Sequence, residues 1–357
     1  MSTLTIDLGE RSYPMHVVEG GFDGLAEAWL ARGLPRRGII ISDDNVAPRW
    51  ADDLERELGS GGIETTLVVM PHGEASKTVE TWQGILHELL SVGIDRQTPV
   101  VALGGGVVGD VAGFAAATAL RGVPFVQVPT TVLAMVDSSV GGKTGVNAPH
   151  GKNLIGAFHQ PSLVWAGMET LSTLDDRERR AGFGEVVKAA LLGASDVVSM
   201  LDGTADWLAP SVLKRAVLAS AALKADVVAE DEREAGRRVV LNLGHTVAHG
   251  LEVALGYGTL RHGEAVGLGL LAETRWAQRE GLLRDDALVE RLFRWLRDVG
   301  LPVTPPSFDP RDVLSAMKLD KKAAHGRVTV PYVRALGDVG FADLSTSELE
   351  GLIEGLT

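Results

Sequence analysis

Over residues 1 to about 175 the chain alternates short β-rich runs, some nearly continuously apolar, with turns and helical stretches. "RGIIISDDNVAP", "ETTLVVMPHGE", "TPVVALGGG" and "VPFVQVPTT" read as strands, each feeding a turn. This alternation predicts a parallel sheet covered by helices, because a strand buried on both faces shows no polar side. From about Leu171 the period changes. "RAGFGEVVKAALLG", "SVLKRAVLASAALKADVVAEDERE" and "DDALVERLFRWLRDVG" place apolar residues at i, i+3, i+4 and i+7, the spacing of amphipathic helices. The regimes meet at the polar stretch "LSTLDDRERR". The pattern therefore predicts an α/β unit over residues 1–175 and an all-α unit over 176–357, with no internal repeat and no low-complexity tract.

Length supports the division, since 357 residues exceed what one core usually serves. With 45% hydrophobic and 23% charged residues, the composition is that of a chain folded throughout. The N-terminal stretch "MSTLTIDLGERSYPMHVVEGG" lacks the basic and apolar regions of an export signal, and no run is long enough to span a membrane. A cytoplasmic setting is expected, in keeping with the absence of cysteine. Without cysteine, any bound metal must rest on His, Asp or Glu. The formal charge of −13 opposes binding to nucleic acid, so an anionic ligand needs a local cluster of cations.

Candidate chemistry concentrates in a few segments. "VVALGGGVVGDVAG" contains G-x-G-x-x-G between a buried strand and a helical pattern, a turn that lets backbone amides approach a pyrophosphate. The ordinary fingerprint also has an acid ending the next strand, where this chain has "QVPTT". Asp43 and Asn45 in "ISDDN" are the substitute candidates, and Glu74 with Lys77 follow another strand. "VDSSVGGKTGVNAPHGKNLIGAF" reads as a polar, glycine-rich loop carrying Asp137, Lys143, Asn147, Lys152 and Asn153. Glu185 and Lys188 lie at i, i+3 within an apolar run, which predicts a buried ion pair. In "NLGHTVAHGLE", His245 and His249 share a helix face, and His262 and Glu264 follow at the start of another helix. Three imidazoles within 18 residues point to a metal site, although spacing alone leaves open whether His249 is a ligand or a proton carrier. Lys224, Arg237, Arg238, Lys318, Lys321 and Lys322 add positive charge suited to an anionic substrate.

"GGGVVGDVAGFAAATALRGVPFVQVPTTVLAMVDSSVGGKTGVN", "GKNLIGAF", "NLGHTVAHGLE", "HGEAVGLG" and "LDKK" resemble, in order, the signature segments of the 3-dehydroquinate synthase family. The resemblance implies a nucleotide-binding α/β domain, a helical domain, a cleft between them and a homodimer. It implies NAD as a recycled cofactor, one divalent ion (zinc, or cobalt in its place), and conversion of 3-deoxy-D-arabino-heptulosonate 7-phosphate to 3-dehydroquinate with loss of phosphate. Glu185, His245 and His262 would then hold the metal, with His249 a substrate-side group. Asp43, Asn45, Glu74, Lys77, Gly105, Gly106, Val107, Val108, Gly109, Asp110, Thr130, Thr131, Lys143, Lys152, Thr170, Leu171, Ser172 and Thr173 would border the nucleotide. Lys143, Asn153 and either Lys321 or Lys322 would meet the substrate phosphate, with Arg121 reaching across from a second subunit. Lys188, Lys224, Arg238 and Asn242 would hold the substrate carboxylate and hydroxyls, and Asp137 joins the catalytic set. The implied chemistry is oxidation of an alcohol by NAD, phosphate elimination, return of the hydride, ring opening and aldol closure. Val247, and the missing aromatic residue after Lys188, depart from the family's usual packing.

Other readings stay open. A related cyclase acting on an amino analogue fits the same motifs, whereas Arg238, Asn242 and His249 argue against a neutral sugar. A net dehydrogenase of the glycerol dehydrogenase type would accumulate NADH, and a regulatory protein without catalysis would lack part of the constellation.

Overall fold

The computed structural model describes residues 1–149, 151–320 and 327–356. The chain divides into two compact units, one of residues 1–175 with 224–232, the other of residues 176–223 with 233–357.

The first unit contains β1 (Ser2–Ile6), β2 (Tyr13–Val18), β3 (Arg37–Asp43), β4 (Glu64–Met70), β5 (Val100–Gly104), β6 (Phe125–Pro129), β7 (Lys143–Ala148), β8 (Gly151–Phe158) and β9 (Leu163–Gly167). Its helices are α1 (Leu25–Ala31), α2 (Ala47–Ser60), α3 (Val79–Ser91) and α4 (Gly106–Thr118). Seven strands form one sheet in the order β1-β2-β9-β6-β5-β3-β4, parallel except for the β1–β2 pair. Strand alternation separates two cores. Ile40, Leu103, Val126 and Val128 face Trp29, Trp50 and Leu54, while Ile39, Ile41, Ala102 and Phe125 face Val108, Ala112 and Leu89. In register, Asp43 lies opposite Met70, Ser42 opposite Leu103, and Gly104 opposite Pro129. The loops after β3, β4, β5 and β6 therefore leave one edge, and strand order reverses between β3 and β5, the place where open α/β sheets take ligands.

The segment expected to be a polar loop is a hairpin, because β7 and β8 pair antiparallel with Gly145 and Gly156 face to face. A Cβ on Gly156 would overlap the Thr144 carbonyl, so the glycines that suggested a loop instead allow close pairing.

The second unit holds α5 (Asp176–Ala181), α6 (Phe183–Leu191), α7 (Ser195–Gly203), most of α8 (Pro210–Glu230), α9 (His245–Leu255), α10 (His262–Arg279), α11 (Ala287–Val299), α12 (Pro310–Asp320) and α13 (Leu349–Glu354). Helix α10 is its centre, buried from Gly263 through Thr274. The all-helical expectation needs one qualification: β10 (Arg327–Ala335) and β11 (Asp338–Ser345) form an antiparallel hairpin. Apolar residues repeat at every second position there, and Gly337 supplies the turn at φ +78°. The hairpin lies on α10, with the Trp276 and Tyr332 rings 5.7 Å apart. Residues 224–232, the end of α8 included, group with the first unit although the sequence placed them in the second.

Candidate active site

Three helices of the second unit, α6, α9 and α10, meet through glycines that each adjoin an acidic or imidazole side chain. Gly184 precedes Glu185, Gly244 precedes His245, and Gly263 follows His262. A Cβ on Gly184 would overlap the Gly263 carbonyl, one on Gly263 the Ala181 carbonyl, and one on Gly269 the Gly244 carbonyl. Main chain thus touches main chain, with Gly244 at φ +81° where α9 begins. The three neighbouring side chains converge as a result.

Glu185 Oε1 lies 3.4 Å from His245 Nε2 and 3.6 Å from His262 Nε2. Both Glu185 oxygens are buried without a hydrogen-bond partner among the described residues, while Lys188 Nζ forms an ion pair with Oε2. These separations are long for hydrogen bonds. They match donors around one small cation, since ligands ~2.1 Å from a tetrahedral ion stand ~3.4 Å apart. A divalent ion fits this donor set of one carboxylate and two imidazoles, gathered within 4.8 Å. Burial favours the neutral acid at Glu185, yet Lys188 and the imidazoles outweigh it and hold its pKa well below the usual range. Burial and the Lys188 charge push His245 down to about 4. Burial also opposes charge on His262, but Glu185 and Glu252 overcome it and raise that imidazole to about 10. The His249 ring stands 5.5 Å from the His245 ring and 6.0 Å from the His262 ring, so it borders the triad.

Glu264, which the sequence pairs with His262, points elsewhere. It binds the Arg177 guanidinium through two contacts of 2.7 Å and accepts the Arg261 amide, closing the first turn of α10. Nearby, Asn242 donates to Glu234 at 2.9 Å and Arg238 is almost wholly buried. Sequence reasoning passed over three acids, half-buried Glu234 and buried Glu252 and Glu273. Glu252 lies one helical turn after His249, a spacing that was available as a signal. Glu273 had none, because it accepts the Gly244 amide at 2.6 Å from a residue 29 positions away.

In the first unit, Asp43 closes the turn between β3 and α2 by accepting the amides of Asn45 and Val46 at 2.9 and 2.7 Å. Gly105, next after β5, is the N-cap of α4, and no side chain among the described residues caps that helix, leaving the amides of its first turn to another acceptor. Gly106 and Val107 sit in that turn, half-buried, while Val108, Gly109 and Asp110 continue it inward; Gly104 and Gly109 are required by packing against Val108 and Gln127. Thr130 Oγ1 is buried beside this turn with no hydrogen-bond partner among the described residues, and its amide donates to the Gly104 carbonyl at 3.0 Å. An uncapped helix start beside an unsatisfied hydroxyl suits a dinucleotide's pyrophosphate. Lys77 Nζ meets Asp110 at 2.5 Å and also the Asn153 side chain. Burial raises the Asp110 pKa against the pull of Lys77. Asn147 donates to Glu74 at 2.8 Å, Lys152 lies 3.7 Å from Glu74, and the Asn153 amide donates to Asn147 at 3.0 Å. These six residues form one polar network.

Other expected residues are more local. Thr131 accepts the Ala134 amide, Thr170 donates to Gly167, and Thr173 bonds Thr170 and the Trp50 indole. Leu171 is buried beside exposed Ser172. Lys224 donates to the carbonyl and carboxylate of Asp137 at 2.7 and 2.8 Å. Lys143 is exposed at the start of β7, and Arg121 occupies a turn at φ +70°. Lys321 and Lys322 lie outside the described residues.

Two family models, 3-dehydroquinate synthase N-terminal and C-terminal, match residues 67–181 and 182–323. The chain belongs to the 3-dehydroquinate synthase family. A 3-dehydroquinate synthase of Pelobacter propionicus is 44% identical over 352 residues, covering 98% of both chains. Among solved structures, a 2-epi-5-epi-valiolone synthase from Streptomyces hygroscopicus with NAD+ and Zn2+ bound is 30% identical with a TM-score of 0.87, covering 98% of both chains. A 2-deoxy-scyllo-inosose synthase complexed with carbaglucose-6-phosphate, NAD+ and Co2+ is 25% identical with a TM-score of 0.86, covering 99% of both. Membership in the 3-dehydroquinate synthase family thus spans both units.

Proposed function

We propose that this protein is a 3-dehydroquinate synthase, releasing phosphate from 3-deoxy-D-arabino-heptulosonate 7-phosphate with NAD and one divalent cation, as a homodimer. The observation that carries this reading is the convergence of Glu185, His245 and His262 beside Lys188. When bound, the nucleotide supplies a reversible hydride acceptor and the cation a Lewis acid. Asp43, Asn45, Glu74, Lys77, Lys152, Thr130, Thr131, the turn from Gly105 to Asp110 and the turn from Thr170 to Thr173 hold the nucleotide.

Glu185, His245 and His262 hold the cation. Lys188 keeps Glu185 ionised and presents an ammonium next to the substrate hydroxyls. Arg238 and Asn242 address the carboxylate and hydroxyls, a task suited to a rigid guanidinium and an amide. Lys143, Asn153, a lysine of "LDKK" and Arg121 from a second subunit address the phosphate. Asp137 sets the Lys224 ammonium by accepting from it at two oxygens, and His249 is placed to move a proton at the substrate's phosphate end.

Purified protein supplied with NAD+ and Zn2+ is expected to release one phosphate per heptulosonate consumed, with no net rise in reduced-nicotinamide absorbance. Accumulating NADH would make it a dehydrogenase. Turnover of the amino analogue alone would reassign the substrate. Sedimentation at low protein concentration tests the dimer.

A further inference from the structure

Two overlapping groups of donors share His262: Glu185, His245 and His262 form one, and His249, Glu252 and His262 the other. One imidazole serves both through different nitrogens. Its Nε2 faces Glu185 Oε1 at 3.6 Å and its Nδ1 faces Glu252 Oε1 at 3.4 Å. His245 is arranged the same way, with Nε2 toward Glu185 Oε1 at 3.4 Å and Nδ1 against the Leu243 carbonyl at 3.1 Å. Each ring therefore presents Nε2 to a common oxygen and keeps Nδ1 against an oxygen acceptor. An imidazole has one proton to give when it ligates, so an acceptor at Nδ1 leaves Nε2 as the donor atom.

We infer that Glu252 is a positioning residue that holds His262 in the Nδ1-protonated form and aims its Nε2 at the cation, rather than a ligand of a second ion. The inference rests on the reading that Glu185, His245 and His262 hold the cation. Glu252 is suited to the task because it is 6% exposed and carried on α9, the helix that opens with His245. A fixed carboxylate there also makes the ring a stronger donor. Leu243 offers His245 only a neutral carbonyl, so the two ligand rings differ in donor strength, His262 being the stronger.

The test uses Co2+ alone, titrated into the full-length metal-free chain against a chelator, with visible absorption recorded. The wild type is expected to bind one equivalent. Glu252→Gln, which can still accept the Nδ1 proton, is expected to bind ~10-fold more weakly and Glu252→Leu ~100-fold more weakly, the cobalt bands shifting in the same order. Metal-free melting temperatures show whether each variant folds. Should neither fold, nitrogen-15 histidine spectra of the Zn2+-loaded wild type decide, since His262 must show a protonated Nδ1. Unchanged affinity and bands in folded Glu252 variants, loss of a second Co2+ equivalent, or a metal-bound Nδ1 would overturn the inference. Wild-type Co2+ affinity in Glu185→Ala would overturn the cation site itself and this inference with it; a Glu185→Ala that has lost the ion isolates failure to Glu252.

Discussion

At the scale of single residues, Glu185 and Lys188 show how burial turns a common helix pair into a chemical feature. On a surface an i, i+3 pair contributes little, but here both side chains are within 5% of complete burial and the carboxylate faces two imidazoles as well. Removing the ammonium leaves a buried charge without its nearest counter-charge. Lys188→Met is therefore expected to destabilise the metal-free protein by about 3 kcal/mol, and the Zn2+-loaded protein by clearly less, because the ion supplies the missing positive charge. Urea denaturation with and without Zn2+ measures both numbers, and equal losses would contradict the assignment. Much of this site was legible in the chain, since an acid and a lysine in an apolar run and three imidazoles within 18 residues are unusual in a protein without cysteine. Glu273 was not, because its partner is a backbone amide, and no side-chain pattern records which amides a fold leaves unpaired.

Among elements, the parallel core was readable and the antiparallel hairpins were not. Strands β3, β5 and β6 are buried on both faces and mostly apolar, a pattern with few alternatives. By contrast, β7 and β8 contain several glycines and polar residues, and their pairing depends on the close approach of Gly145 and Gly156. Glycine signals a loop and a tight strand contact equally well, so only the partner strand decides. The same ambiguity applies to helices. Gly184 in α6 looks like a helix weakness, yet its missing side chain admits α10. Gly184→Ala is expected to cost about 3 kcal/mol, where an exposed helical glycine would gain stability from the same change. Thermal denaturation of the metal-free variant reads the sign, and a stabilised variant would show that the helices are not in contact there.

For the whole molecule, the formal charge of −13 and the buried cluster of donors make stability depend on solution conditions. In the metal-free protein, raised His262 contributes stability that is complete below its unfolded pKa of about 6.5 and is lost as pH rises through about 10. A cation needs the same nitrogen unprotonated, so its binding strengthens over that interval. The difference in melting temperature between Zn2+-loaded and metal-free protein should therefore widen from pH 6.5 to pH 9 at fixed free Zn2+. Calorimetry at the two pH values checks it, and a gap that narrows would reverse the assignment of His262. Among the described residues no helix is long and apolar enough to cross a membrane.

The glycine seams carry one more implication, for anyone wishing to retune the ion. Most metal sites can be widened or tightened by swapping bulky neighbours for smaller ones, since side chains set the distance between the helices that bear the donors. Here peptide groups abut directly at Gly184, Gly263, Gly244 and Gly269, so no filler exists to trim. Under the proposed cation assignment, the spacing of the donor-bearing helices is set by main-chain contact, and changing it requires shifting entire helices.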